Sequence, residues 1–210
     1  MAETMTMNRV IHSAVRRDLD RLTAALGSAP DGDVARAGDL QRAYANLHDQ
    51  LKHHHEQEDR LVFPALGRLG IDPVLIEEMD AEHGAMADAL AGTARLMQRY
   101  AATGSAQDAS AARDDVQHTR AVVERHLTHE EQELEPLMLP HAESEEWKRV
   151  EKEVRKLPPT KAGRFFAWLT DGIDPASEAY LRSTVPRPVV FVLSRMFGRE
   201  YHRRIAPVWR

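Results

Sequence analysis

Two short stretches hold the residues best suited to chemistry. His53–Pro64 reads HHHEQEDRLVFP and His126–Met138 reads HLTHEEQELEPLM. Aligned on Pro64 and Pro136, His54 falls on His126, Glu58 on Glu130 and Asp59 on Glu131. Each copy is therefore His-x-x-x-Glu followed by an acid, with a proline six residues past the glutamate. The histidine run is internal and continues into acidic and then apolar residues, which is not the setting of a purification tag. Residues at i and i+4 lie one above the other on a helix face, so each His and Glu pair can serve one metal site.

Four segments are long enough to position such pairs, and all have helical period rather than strand alternation. The first runs from about Thr6 to Leu26 and stops at Gly27. The second runs from about Ala35 to Leu69, near Gly70. Asp72-Pro73 reads as an N-cap followed by proline at the first helical position, opening a third helix to about Ala102. The fourth spans about Ala109 to Leu139 and closes at Pro140. Short connections between long helices predict an all-α fold, an up-down-up-down four-helix bundle.

Core-facing rows, at steps of three and four, put polar residues where leucine is expected. The first helix gives His12, Val15, Leu19, Leu22 and Leu26. The second gives Leu47, Leu51, His54, Glu58, Leu61 and Ala65. The third gives Ile76, Met79, His83, Met86, Leu90 and Met97, and the fourth gives Val123, His126, Glu130, Leu134 and Leu137. His12 and His54 are 42 residues apart, and His83 and His126 are 43 apart, so one helical hairpin is repeated.

Buried carboxylates cost several kcal/mol each unless neutralised, and no Lys or Arg lies on these rows. Four imidazoles and two carboxylates in one layer call for a cation. They are too many for one tetrahedral zinc. They suit a dinuclear centre with an imidazole pair on each metal and both carboxylates bridging, compatible with iron, manganese or zinc.

This pattern resembles the hemerythrin-like (HHE cation-binding) family, four-helix bundles with a non-haem di-iron centre, over about residues 8 to 140. The resemblance implies two non-haem iron ions, oxo- or hydroxo-bridged. His12 and His54 would bind one, His83 and His126 the other, and Glu58 and Glu130 would bridge. Oxygen-carrying members have a His-x-x-x-His pair on the third helix and an aspartate in the last motif with longer spacing. Here Ala87 and Met79 flank His83 at four residues, and the last motif has Glu130. With Ala87 where those members have histidine, the iron held by His83 and His126 is expected to keep an exchangeable position, which argues against simple reversible oxygen carriage.

The remaining polar residues have blander expectations. His48, His53 and His55 lie off the row of the second helix and are expected in solvent or beside the ligands. His129, Asp59 and Glu131 are expected at the surface or supporting a ligand, and Tyr44 in the core. No acid–base dyad is legible, so no catalytic residue is assigned.

The chain has no cysteine, which excludes disulfides and thiolate metal sites. It also lacks an apolar run of roughly 18 residues and a signal-like start, so a cytoplasmic location without a transmembrane segment is expected. Residues 1–143 hold 14 Lys/Arg against 25 Asp/Glu, a charge of −11, and residues 144–210 hold 14 against 8, a charge of +6. Two parts follow: residues 1–143 as the di-iron bundle, and residues 144–210 as a basic helical C-terminal extension expected to pack back on it. The extension is the candidate surface for an oligomeric or protein partner, and no nucleic acid is expected.

The function implied is binding of, or reaction with, O2, NO or H2O2. Whether this amounts to enzymatic turnover is open. The alternative is an iron- or oxygen-responsive regulator acting through the basic segment.

Overall fold

A computed structural model describes residues 4–210, and every regular element among them is helical. Helix α1 covers Met7–Gly27 and α2 covers Val34–Gln57; α2 passes through a π-helical turn, Glu58–Val62, into α3, Phe63–Arg68. Helix α4 is Pro73–Thr103. Helix α5, Ala106–His129, passes through a second π turn, Glu130–Leu134, into α6, Glu135–Met138.

Local chemistry sets the starts. Thr6, Asp33, Asp72 and Ser105 each accept a backbone N–H in the first turn of the helix they precede, supplying the donor partners that helix ends lack. Pro73 sits just inside α4, where its missing N–H is harmless. Gly104 closes α4 at φ 64°, and a Cβ there would press on the backbone at Val34, so glycine is required twice over.

Each of the four long helices packs on two others: α1 on α2 and α5, and α4 on α2 and α5. Leu19, Leu22, Leu40, Leu47, Leu51, Leu90, Val116 and Val123 fill the larger apolar core. A smaller apolar cluster, Phe63, Leu66, Ile71, Met79 and Leu134, lies around the two π turns.

The expected rows hold up to the glutamates; beyond them Ala65 and Leu134 keep their buried places while their neighbours shift. Leu61 is only half-buried while Phe63 is buried, and Leu137 is 43 % exposed while Leu134 and Glu135 are buried. The π turns cause this. Phe63 N–H donates to the Glu58 carbonyl and Glu135 N–H to the Glu130 carbonyl, five residues back rather than four. Pro64 and Pro136 follow directly; in a plain α-helix each ring would collide with the carbonyl four residues earlier, and the wider turn relieves that.

Beyond α6 a 3-10 turn, Leu139–His141, leads into the C-terminal extension. It comprises α7 (Glu145–Val154), α8 (Pro159–Leu169), α9 (Pro175–Thr184), α10 (Arg187–Phe197) and α11 (Arg199–Arg204). It packs back as expected, its Trp168, Tyr201 and Val208 joining the larger core. The charges at the joint run opposite to the expected sense, however. Arg17 and Arg21 of α1 donate to the Trp168 and Leu169 carbonyls and to Asp171, and Ser13 donates to Asp174. Buried Asp18 holds the joint, accepting from Trp168 Nε1 at 2.8 Å and from Arg17 at 2.9 Å. Among the described residues no helix is long and apolar enough to cross a membrane.

Candidate metal centre

The structure brings all six sequence-expected residues into one layer between the two apolar clusters. His12, Glu58, His83, His126 and Glu130 are buried, and His54 is partly covered. The imidazoles meet in pairs through their Nε2 atoms: His12 and His54 at 3.4 Å, His83 and His126 at 3.2 Å. Each carboxylate spans both pairs. Glu58 lies 3.3 Å from His54 Nε2 and 3.6 Å from His83 Nε2, and Glu130 lies 3.2 Å from His12 Nε2 and 3.9 Å from His126 Nε2.

The outward nitrogens explain why the Nε2 atoms point inward. His12 Nδ1 donates to Glu131 at 2.8 Å, His83 Nδ1 to Asp59 at 2.7 Å, and His126 Nδ1 to Glu82 at 2.9 Å. A carboxylate on Nδ1 fixes the ring and leaves the Nε2 lone pair for a metal. Asp59 and Glu131 are the acids that follow the two glutamates in sequence, and each reaches the histidine of a neighbouring helix. Glu82, which also accepts from His129 at 3.0 Å, carries no comparable sequence signal. Arg16 steadies Glu131 from outside, its Nη1 donating at 2.7 Å.

Two expectations are corrected here. His55 was placed off the core-facing row, yet it is buried, 7 % exposed. Its ring stacks on His83 with centroids 4.2 Å apart and meets His126 edge-on at 5.5 Å. Consecutive helical residues point about 100° apart. Because α2 packs on both α1 and α4, His54 takes the α1 side and His55 the α4 side. Ala87, in turn, is on the exposed side of α4, so it is not the place where a ligand is missing. His48 and His53 remain partly exposed, with His53 bonded only to Gln57, and Tyr44 is a core residue whose hydroxyl donates to the Leu90 carbonyl at 2.6 Å.

The electrostatics fit a cation. Glu58 Oε2, Glu130 Oε2 and His55 Nε2 are buried without a hydrogen-bond partner, a costly arrangement that a metal ion relieves. Left to themselves, the groups balance charge with protons. Burial pushes Glu58 well above the usual carboxylate range, and the nearby Glu130 adds to the push. Burial also raises Glu130, but the close approach of His12, its Nε2 3.2 Å away, outweighs it and holds the acid ionised. Burial pulls His12 down, yet Glu130 and Glu131 together lift it to about 9. His54 drops to about 3 through burial and the charge on His12, and His55 drops well below its ordinary value through burial and its histidine neighbours. Neutral imidazoles are ready ligands. By donor atoms, two groups emerge: His12, His54 and Glu130, and His55, His83 and His126, each with its atoms within 4.8 Å of one another.

The model of the hemerythrin HHE cation-binding domain matches residues 8–138. The chain belongs to that family. No curated protein and no solved structure matches it. The hemerythrin match ends at the last residue of α6, so it covers both motifs and both π turns and leaves out the C-terminal extension.

Proposed function

We propose that the four long helices form an up-down-up-down bundle holding two non-haem irons, and that the protein binds or reacts with O2, NO or H2O2. The observation that carries this reading is that two carboxylates each span two imidazole pairs. His12 with His54 would hold one ion, His83 with His126 the other, and Glu58 and Glu130 would bridge. The donor set fits, since nitrogen and carboxylate ligands suit iron and the buried orphan oxygens gain a partner. Iron so held supplies Lewis acidity and redox chemistry toward a small oxidant.

The chain's own residues do the rest. Glu131, Asp59 and Glu82 keep three imidazoles in one tautomer and one orientation. Phe63, Met79 and Leu134 border the layer on one side and the larger core on the other, excluding bulk water.

The test is substitution with metal analysis. Glu58→Ala or Glu130→Ala should lose most of the metal and melt at lower temperature, because metal binding and folding are linked. His53→Ala should do neither. If His53→Ala strips the metal and Glu58→Ala does not, the reading fails. Peroxide consumption and NO binding by the iron-loaded protein then separate the possible reactants.

A second reading, a regulator acting through residues 144–210, has one observation in its favour. Helix α10 leaves Val189, Phe191, Val192 and Met196 exposed beside Arg187 and Arg195. Iron loading that alters sedimentation of wild type but not of Phe191→Asp would favour it over the first.

A further inference from the structure

We propose that His55 is the third imidazole on the metal held by His83 and His126, so that the two metals carry unequal ligand sets. This deepens the dinuclear reading above and rests on it.

Three observations converge. His55 is more than nine-tenths buried, yet its Nε2 has no hydrogen-bond partner. A structural histidine in a core ordinarily satisfies both nitrogens. Second, one nitrogen each from His55, His83 and His126 lie within 4.8 Å of one another. Third, the ring spacing is that of shared ligands. With a metal–nitrogen bond of about 2.1 Å, an imidazole centre lies about 3.2 Å from the ion, so two rings at right angles are about 4.5 Å apart and two opposed rings about 6.4 Å. The observed separations are 4.2 Å for His55–His83, 4.7 Å for His83–His126 and 5.5 Å for His55–His126. The last two fall between those limits, and the His55–His83 separation lies just below the lower one.

The geometry moves the exchangeable position. The oxygen carriers draw a further histidine from the third helix; here the second helix supplies it, from the residue beside His54. An ion at His83 and His126 would thereby have three imidazoles, and one at His12 and His54 would have two. His54 is also the only one of the seven residues that is not fully buried.

The test loads wild type, His55→Gln and His53→Gln with iron-57, then records Mössbauer spectra and the iron retained against a mild chelator. Wild type and His53→Gln should show two distinct iron environments and equal retention. In His55→Gln one environment should change or vanish, with one ion held at least about tenfold less tightly. If His55→Gln keeps both irons and both environments unaltered, the proposal is overturned while the dinuclear reading stands. Wild type that never takes up two irons overturns both. Should His55→Gln fail to fold, the cobalt-loaded wild type decides the point. Hyperfine-shifted signals from five imidazole rings support the proposal, and signals from only four overturn it.

Discussion

A neutral imidazole has one N–H and one lone pair, so the partner of the first decides where the second points. In this protein Asp59, Glu82 and Glu131 make that choice for His83, His126 and His12. Asp59→Asn keeps the shape while weakening the pull on the His83 proton. It should lower metal affinity by about 10- to 100-fold with little change in the metal-free melting temperature. A competition titration checks this, and unchanged affinity would mean that Asp59 plays no part. At this scale the six ligand candidates were legible, because a histidine or glutamate in a leucine row has few bland explanations. His55 was not, because a single-row reading of α2 allows one inward residue per turn. The row Leu51, His55, Glu58 is as regular as Leu51, His54, Glu58, and a helix with two neighbours uses both.

Between residue and fold stand the two π turns, each opening at one of the two buried glutamates, Glu58 and Glu130, and ending just before the residue that precedes a proline. An extra residue in a turn rotates everything beyond it by about 100°. That rotation buries Phe63 in place of Leu61 and exposes Leu137. Periodicity alone could not show this, since it assumes a constant turn; the two matched prolines were the available signal, read as alignment marks rather than as causes. Replacing Pro64 or Pro136 by Ala removes the ring that favours the wide turn and lets the helix tighten. Each change should leave the metal-free protein as stable or more so, yet weaken metal binding by about tenfold or more. Melting curves and metal titrations on both forms report the two effects separately. Weaker binding together with an equal loss of metal-free stability would instead mark the prolines as simple packing elements.

Across the whole molecule, the sequence forecast an all-helical chain with an extension folded back, and missed what fastens it. Net charge by segment suggested basic residues of the extension resting on an acidic surface. The joint instead centres on Asp18, an acid buried on α1 next to Arg17 and Arg21 and capped by Trp168. Segment totals average over such local arrangements. Trp168→Phe keeps the aromatic packing and removes one hydrogen bond to a charged acceptor, a loss of about 1 to 3 kcal/mol of stability. Denaturant unfolding should show that loss with metal content unchanged. A variant that loses its metal in proportion would tie the extension to the centre itself. The central claim concerns what lies between α1, α2, α4 and α5. Metal analysis of the protein purified from iron-fed cells, taken with its near-ultraviolet spectrum, tests it most directly. The expected result is about two irons per chain with charge-transfer absorption, since two imidazole groups and two spanning carboxylates suit two ions. One tightly held zinc and no iron would contradict it.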